Sequence, residues 1–411
     1  MPTHVTGELG DATTGFPAPL ARELRAESVQ SLGRGTSPAR VWRVTTPHAV
    51  LAVKVLRRGA GLVDGQDIGS FLKEPAQLQR VRRELPRLAP HVVDVLGVWQ
   101  QTAWAAYAMP FVAGAPAVAP AVPRHEAHGR LNEVFTVLTE HGYARTRRTS
   151  GEDLSRHDLS RVRRRLWLLR RHLHRELLEG PRITVNGASC RPLVPLLHAI
   201  EGDASLSRLL RPRVVSYPVH GELDLADLLA PAASASFTLL DPRGTQGYRD
   251  PVEDFARALF SMTTLDRCTT SGVRLWRSAP SGRRPASYVL RAADPYEGYA
   301  AMGTWFVDML GDLPFGAELT RIDPRWRVRL AFAHGFHALV EATARLSAPP
   351  PDDGGGRART PVTLATAFCA LGLRLLEAAI AGARQSPGTL PDVSTGLDDP
   401  AGAVWRFGGA R

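Results

Sequence analysis

The chain has 411 residues, 44% of them hydrophobic, which is enough for a large core or two lobes and excludes a disordered protein. Its cysteines, Cys190, Cys268 and Cys369, are far apart and lack metal-ligand neighbours, so they predict neither a disulfide framework nor a zinc site and fit a reducing compartment. The first sixteen residues show no basic start followed by an apolar run, as a secretory signal would. We therefore expect a cytoplasmic location.

The basic residues outnumber the acidic ones by 51 to 40, and only two of them, Lys54 and Lys73, are lysines. A lysine that persists in so arginine-rich a chain indicates a place that arginine cannot fill. Ammonium and guanidinium differ in size, hydration and geometry, so a compact phosphate pocket is one such place.

The amino-terminal part predicts a nucleotide-binding start. Two glycines, Gly33 and Gly35, precede a predicted strand at Arg40–Thr45 and a β-branched run at 49–56 that contains Lys54. Glycines in such a turn let backbone N–H groups approach phosphates, and a strand lysine reaches the α- and β-phosphates. An ordinary hairpin turn is the alternative interpretation of the two glycines.

A helix carrying a partner for Lys54 is predicted next, with Pro75 in its first turn. Glu74 is the preferred partner and Glu84 the rival, and an exposed helix charge is the alternative for either. Strands are predicted at 92–99 and 104–109. The stretch 107–114, which includes Met109, is then predicted to connect two lobes and to offer backbone groups to adenine.

An insertion at about 117–216 is predicted to contain a helix over 156–179, because leucines and a valine repeat there at helical spacing until Gly180 and Pro181 end it. Its other face carries Arg161, Arg164, Arg165, Arg171 and Arg175. These arginines indicate either a solvated face or a docking surface for an acidic partner. Nucleic acid is not expected, because no zinc spacing, aromatic RNA-binding signature or helix-turn-helix accompanies them. A tight hairpin is predicted further on, at the Asn-Gly pair 186–187.

Three carboxylates, Glu222, Asp227 and Asp241, are spaced so that two loops around a short hairpin would bring them to one site. Asp241 directly follows the apolar run 237–240. Kinase-type phosphoryl transfer needs one carboxylate facing a hydroxyl and two further groups that hold magnesium against the phosphates. The alternative is that these acids, together with Asp224, cap turns and helices on a surface loop.

The stretch His-Gly-Glu-Leu-Asp-Leu-Ala-Asp at 220–227, followed by Asp-Pro-Arg-Gly at 241–244, resembles the aminoglycoside and choline kinase-like phosphotransferases. Their pattern is His-Gly-Asp-Leu-His-x-x-Asn and Ile-Asp-Pro-Arg-Gly. The resemblance covers roughly residues 25–115 and 190–310. It implies that Glu222 occupies the catalytic aspartate position, Asp227 the metal-binding asparagine position and Asp241 that of the second metal ligand. Asp254 would brace the catalytic loop.

The resemblance further implies ATP and Mg²⁺ as cofactors, with Lys54 and Glu74 at the phosphates, Gly33 and Gly35 in the turn above them, and Met109 near adenine. The departures lie in the loop. Glu222 is one methylene longer than aspartate, which shifts the carboxylate by roughly 1–1.5 Å and can cost about a hundredfold in rate. An aspartate at 227 keeps an oxygen ligand for magnesium. Arg243 could hold either a substrate phosphate or an acid of the loop.

We expect an α+β, bilobal protein-kinase-like fold, with a small β-rich N-lobe and a larger, mostly helical C-lobe that contains the helical insertion. The apolar stretch at the end is predicted to be a buried helix, not a membrane span, because Arg374 and Glu377 fall inside it. The predicted divisions are an extension 1–24, an N-lobe 25–112, a C-lobe 113–348 with the catalytic loop 218–245, a linker or loop 349–360, a helix 361–383 and a tail 384–411.

The expected function is an ATP- and Mg²⁺-dependent phosphotransferase acting on a hydroxyl. The charge of +11 favours a neutral or anionic acceptor, either a small molecule or a Ser/Thr of a peptide. A bacterial natural-product pathway such as lanthipeptide or thioamitide dehydration, with a separate lyase as partner, is one candidate setting. The alternative is a pseudokinase, a binding or scaffolding module in which the altered loop has lost turnover.

Overall fold

The computed structural model describes residues 15–34, 38–61, 63, 66–116, 124–143, 145–149, 154–217, 219–231, 237–242, 247–270, 272–292, 302–347, 360–385, 391–393 and 405–407. Gly35, Arg243, the predicted linker up to residue 359 and most of the predicted tail lie outside these ranges.

The helices are α1 Ala18–Glu23, α2 Ile68–Phe71, α3 Lys73–Glu84, α4 Arg124–Val137, α5 Leu154–Arg164, α6 Leu166–His172, α7 Arg175–Leu178, α8 Leu193–Gly202, α9 Ala204–Leu209, α10 Val252–Phe260, α11 Asp266–Thr270, α12 Met302–Asp312, α13 Pro314–Ile322, α14 Trp326–Ser347 and α15 Pro361–Gln385. The strands are β1 Ser28–Arg34, β2 Arg40–Thr45, β3 Val50–Arg57, β4 Gly97–Gln100, β5 Trp104–Pro110, β6 Gly114–Pro116, β7 Arg145–Arg148, β8 Ile183–Val185, β9 Ala188–Cys190, β10 Val214–Tyr217, β11 Leu228–Pro231, β12 Thr238–Leu239, β13 Val273–Ser278, β14 Ser287–Ala292, β15 Pro391–Val393 and β16 Trp405–Phe407.

The chain forms two units. The smaller comprises Met1–Ala115 and Leu229–Gly244, and the larger comprises Pro116–Leu228 and Thr245–Arg411. The predicted α+β class is confirmed, because the smaller unit is rich in strands and the larger one is mostly helical.

The smaller unit is built on an antiparallel sheet of five strands in the order β1-β2-β3-β5-β4. Apolar residues on alternate positions of these strands, among them Trp42, Val44 and Val53, form its core with α1. Helix α3 buries Leu78 and Val81. A second sheet has the order β12-β11-β6, so the segment that ends in Asp241 belongs to this unit.

The strand predicted at 92–99 is shorter in the structure, where only Gly97–Gln100 is a strand. Val92 instead forms a parallel bridge with Leu239, and the Val93 N–H donates to the Leu239 carbonyl at 3.3 Å. Val92 and Val93 therefore hold the short strand β12, which ends two residues before Asp241.

The larger unit has a long pair of helices, α14 and α15, at its core, and nearly all of α14 is buried. Two glycines set the distance between them. A Cβ on Gly335 would lie 2.8 Å from Leu376, and one on Gly372 would lie 2.8 Å from Leu339. Helix α15 is long and apolar enough to cross a membrane, but 83% of its most apolar window is buried inside the protein. Its Glu377 pairs with Arg191 at 2.7 Å.

The prediction of a single helix over 156–179 is wrong. The structure has three helices there, α5, α6 and α7, which are interrupted at Arg165 and at Leu173–His174. Arg165 is buried and its guanidinium lies 3.4 Å from the Thr343 hydroxyl, while Leu173 is extended. The leucine repeat continues across the breaks because each short helix still buries its apolar residues.

The predicted Asn-Gly hairpin is confirmed: β8 and β9 pair through a two-residue turn in which Asn186 and Gly187 have φ of 45° and 79°. The Asn186 side chain also bonds the backbone of Leu290 in both directions, at 2.7 and 3.2 Å. This joins the hairpin to a four-stranded sheet in the order β13-β14-β8-β9.

Candidate functional site

Strands β3 and β5 place two polar side chains opposite each other in the sheet of the smaller unit. Lys54 and Tyr107 are register partners, so their side chains leave the same face. The Lys54 ammonium donates to Glu74 of α3 at 2.9 Å and also bonds Asp241. The Tyr107 hydroxyl lies 3.1 Å from the same Glu74 oxygen and 3.3 Å from the same Asp241 oxygen. We call these four residues the lysine cluster.

The rival of Glu74 is used elsewhere, since Glu84 pairs with Arg80 at 2.9 Å. Glu74 lies in the first turn of α3 and faces Lys54. Pro75 is tolerated beside it because the first backbone N–H groups of a helix have no intrahelical acceptor. The structure thus brings three of the predicted site residues, Lys54, Glu74 and Asp241, into direct contact within one unit.

The lysine cluster contains two carboxylates and one ammonium, so its formal charge is one negative unit. Burial alone would lower the pKa of Lys54, but attraction to Asp241 and Glu74 outweighs it and the pKa is raised. Burial raises the pKa of Glu74, and the charge of Asp241 adds to that effect while Lys54 opposes it. Burial and the two carboxylates also raise the pKa of Tyr107. Lys54 therefore stays protonated, and the cluster favours an additional cation or a bound proton.

Asp241 has an unusual backbone. Its φ is 53°, in the left-handed region that residues with a Cβ seldom adopt and that aspartate tolerates better than most. It follows the short strand β12, which is held by the bridge to Val92 and by Phe237 stacked on His91 at 4.5 Å. The carboxylate is 37% exposed, whereas the Lys54 side chain is 5% exposed. Asp241 is thus the member of the cluster that remains accessible to a ligand.

Helix α10 in the larger unit holds the loop that begins at His220. The buried carboxylate of Asp254 accepts the backbone N–H groups of His220 at 2.8 Å and Gly221 at 2.6 Å, and the Tyr143 hydroxyl at 3.1 Å. Gly221 has a φ of 83°, which explains the glycine. Directly after the end of α10, the Ser261 hydroxyl accepts the backbone N–H of Leu225 at 3.1 Å. Asp254 thus contacts the loop backbone, as the sequence predicted for a brace.

Arg257, one turn after Asp254, contacts an acid of this loop. Its guanidinium donates a hydrogen bond to Oδ2 of Asp224 at 2.6 Å, its Nε lies 2.6 Å from Oδ1, and it lies 3.4 Å from Glu341 of α14. Arg257 and Glu341 are each 2% exposed. Burial raises the pKa of Asp224, although Arg257 opposes the shift. Asp224 is therefore a partly buried structural acid that anchors the loop.

Glu222 is half-buried, and its carboxylate lies 3.3 Å from the guanidinium of Arg161 on α5. The carboxylate is 35% exposed and the arginine 14%. The helical insertion thus supplies a cation beside the residue that the resemblance places at the acceptor. This ion pair gives Arg161, one of the arginines of the predicted basic helix face, an intramolecular partner.

Asp227 closes a 3₁₀ turn, Leu225–Asp227, with its backbone N–H bonded to the Asp224 carbonyl at 3.0 Å. Its side chain is half-buried. Within the described ranges, no group of three or more His, Cys, Asp or Glu side chains could hold a metal ion by itself. Magnesium commonly takes only one or two carboxylates and completes its shell with phosphates and water. Asp227 and Asp241 as metal ligands stay a prediction.

The remaining predicted residues are placed as follows. Gly33 lies in β1, next to the bulge at which the β1–β2 register shifts, and Gly35 is outside the described residues. Met109 is a buried residue near the end of β5 and pairs with Ala52. Their contacts with a nucleotide stay predictions.

The sequence reading missed Tyr107, Arg161 and Arg257 as site residues. For Arg257 a signal existed, because it lies three residues after Asp254 and so on the same helix face. Tyr107 was read only as the start of a connector, although a polar hydroxyl in an apolar strand often finds a buried partner. No local signal joins Arg161 to Glu222, because 61 residues separate them.

No protein-family model matches the sequence, and a search of curated proteins gives no match. Solved structures of similar arrangement do exist. A choline kinase from Cryptosporidium parvum is 10% identical, with a TM-score of 0.49, and the match covers 86% of this chain and 90% of that one. An aminoglycoside phosphotransferase from Streptomyces rimosus, in complex with ADP and streptomycin, is 15% identical, with a TM-score of 0.39 and coverage of 76% and 98%.

An aminoglycoside-3′-phosphotransferase of type VIII is 18% identical, with a TM-score of 0.42, and the match covers 75% of this chain and 97% of that chain. All three TM-scores are below 0.5, and we therefore base the functional proposal on the chain's own residues.

Proposed function

We propose that the protein is a kinase: a phosphotransferase that uses ATP and Mg²⁺ to phosphorylate a hydroxyl group. The observation that carries the proposal is the lysine cluster, in which the ammonium of Lys54 is buried and bonded to both Glu74 and Asp241. A buried, permanently charged ammonium with one accessible carboxylate beside it is a donor set suited to a magnesium-bound polyphosphate.

The residues of the cluster fit these cofactors in charge and in chemistry. Lys54 would hold phosphate oxygens and Glu74 would fix its position, while Asp241, with Asp227, would hold the metal. Bound magnesium would neutralise charge on the phosphates. The negative excess of the cluster is the electrostatic reason for it to accept a divalent cation. Lys54 remains protonated throughout because its pKa is raised.

The loop of the larger unit would serve the acceptor. Asp254 and Arg257 fix its backbone, and Glu222 would orient the accepting hydroxyl and take its proton. Arg161 beside Glu222 supports a neutral or anionic acceptor, because an acceptor with ammonium groups would meet the guanidinium. A small molecule with a hydroxyl and a peptide Ser/Thr both meet this condition.

We further propose a natural-product pathway in bacteria, such as lanthipeptide or thioamitide dehydration, in which a partner lyase would eliminate the phosphate. This rests on the sequence resemblance and on the expected acidic or neutral acceptor. Neighbouring genes for a small precursor peptide and a lyase would support it, whereas an antibiotic-resistance or capsule cluster would count against it.

The chain offers a matched pair of variants for testing the nucleotide site, because it has only two lysines. Lys54→Met removes a buried, charge-assisted contact and should weaken ATP binding by about tenfold or more in calorimetry with Mg²⁺. Lys73→Met, on the exposed start of α3, should leave binding unchanged. Asp241→Ala should abolish the effect of Mg²⁺ on binding, while Asp94→Ala on the same unit should not.

Absence of ATP binding by the folded wild-type protein, or equal effects of the two lysine variants, would remove the basis of the proposal. Thermal melting of each variant shows whether it is folded. Lys54→Arg keeps the charge and serves in place of the methionine variant if that variant does not fold.

A pseudokinase is the second candidate, and it is favoured by the engagement of Glu222 with Arg161. A carboxylate held by a guanidinium is a weaker base, because the cation stabilises its ionised form. Comparing Glu222→Asp with Glu222→Ala separates the two candidates once an acceptor is found. Loss of turnover in the alanine variant, with activity kept in the aspartate variant, would exclude the pseudokinase.

A further inference from the structure

The hairpin formed by β13 and β14, residues 273–292, is a basic, exposed part of the larger unit, and we call it the arginine hairpin. It contains no Asp or Glu and five arginines: Arg274, Arg277, Arg283, Arg284 and Arg291. All five are exposed. Arg277 pairs with Glu176, and among the described residues the other four have no ion-pair partner.

The arginines of the insertion helices differ from these, because carboxylates neutralise several of them. Arg163 pairs with Glu201, Arg170 with Glu179 at 2.8 Å, and Arg161 with Glu222. The docking surface that the sequence predicted for α5–α7 therefore uses part of its charge in intramolecular pairs. The arginine hairpin keeps its positive charge available.

Two arginines of the hairpin lie directly opposite each other. Arg274 and Arg291 are register partners on the exposed face of the sheet. Like charges in this position destabilise an antiparallel pair, so folding stability gives no reason for them. Trp276 follows two residues after Arg274 on the same face and is 50% exposed. Arginine and tryptophan are the residues most enriched at the centres of protein interfaces.

The hairpin also ends in an open strand. β13 is the terminal strand of the sheet β13-β14-β8-β9, and none of the described strands pairs with its outer edge. A row of backbone N–H and C=O groups on such an edge can pair with an extended polypeptide. Single-stranded nucleic acid would instead need several aromatic side chains as stacking platforms, and the described hairpin exposes one tryptophan.

We propose that the arginine hairpin docks an extended acidic segment of a partner polypeptide, which adds a strand to the outer edge of β13. Arg274 and Arg291 would bind carboxylates on the face of the segment that they share, and Trp276 would pack on the next side chain along that same face. The surface lies within the larger unit and does not depend on the proposed phosphotransferase activity.

The probe for the test is a fluorescein-labelled ten-residue peptide of alternating glutamate and threonine, measured by fluorescence anisotropy with the full chain at physiological salt. A peptide of the same charge with proline at alternate positions cannot form the strand and should bind about tenfold more weakly or worse. Arg274→Glu/Arg291→Glu should weaken binding of the first peptide by about tenfold or more.

The matched control is Arg171→Glu/Arg211→Glu, which reverses two exposed arginines elsewhere in the same unit and should change binding by less than about threefold. The single variant Arg274→Glu separates binding from folding. It creates an opposite-charge pair with Arg291, so it should raise the melting temperature while it weakens binding. Arg274→Gln/Arg291→Gln replaces the double reversal if that variant does not fold.

Equal losses in the hairpin and control variants would show general attraction to a basic protein and overturn the proposal. Equal binding of the proline-containing peptide would also overturn it, because strand addition would then play no part. Tighter binding of a ten-nucleotide oligothymidylate, lost in the same variants, would assign the surface to nucleic acid instead.

Discussion

Replacing Arg257 by methionine should be among the most damaging single changes in the larger unit. Arg257 is 2% exposed and binds Asp224 through two contacts of 2.6 Å and Glu341 at 3.4 Å. Its removal leaves the Asp224 carboxylate without its cation and leaves Glu341 with Arg345 alone, at 2.7 Å. Breaking a buried pair in this way costs about 3–5 kcal/mol of unfolding free energy. Urea denaturation followed by circular dichroism should show this loss.

The pH dependence gives the same variant a second readout. Burial raises the pKa of Asp224 while Arg257 opposes the shift, so removal of Arg257 raises this pKa further and the folded state binds a proton more readily. The loss should therefore be largest near pH 8 and shrink as the pH falls toward 5.

Two further variants test whether the buried charges cause this loss of stability. Adding Asp224→Asn and Glu341→Gln to the Arg257→Met background removes both negative charges that the guanidinium neutralised and should restore most of the stability. Arg321→Met removes an exposed pair with Glu318 and should have little effect. A loss in the Arg257 variant below about 1 kcal/mol, or no recovery in the triple variant, would show that the buried network does not stabilise the fold as argued.

Further predictions concern the loop, the titration of buried groups and the helix contact. Asp254→Ala leaves two backbone N–H groups without their acceptor, so hydrogen exchange of the loop should become faster while that of β13 stays unchanged. Burial raises the pKa of Asp266 to about 7, so the folded protein holds a proton that the unfolded chain releases near pH 4, and stability falls as the pH rises between these values. In Asp266→Asn this decline should disappear from the urea midpoints. Burial lowers the pKa of His334 to about 3, so stability falls as the pH drops from about 6.5 to 3, and His334→Gln should flatten that limb. Gly335→Ala and Gly372→Ala should each cost about 1–3 kcal/mol by overpacking, and wild-type stability in either would contradict the close helix contact.

The parts of the site that sequence could predict are those with a local pattern. Lys54 stands in an apolar strand of an arginine-rich chain, and Asp241 follows a buried strand directly, so both were recognised from their neighbours. The role of Asp254 was predicted from the resemblance to the phosphotransferases. Each of these residues is placed by backbone structure within a few positions of itself.

The parts that sequence could not predict depend on distant packing. Glu341 reaches Arg257 across 84 positions, and Arg161 reaches Glu222 across 61. The breaks between α5, α6 and α7 were missed for the same reason, because the leucine repeat does not reveal that Arg165 is buried against Thr343. The strand predicted at 92–99 is shorter in the structure because Val92, at its start, forms a bridge with Leu239, far along the chain.

The scarcity of lysine makes the protein an unusually clear subject for spectroscopy. Incorporation of isotope-labelled lysine would produce side-chain signals from two residues only, one exposed on α3 and one buried in the sheet. The ammonium of Lys54 is hydrogen-bonded to two carboxylates, which slows the exchange of its protons with water. The side-chain nitrogen of Lys54 would then report, without chemical modification, whether Lys54 stays bonded to Glu74 or to Asp241 when a nucleotide or a metal ion is added.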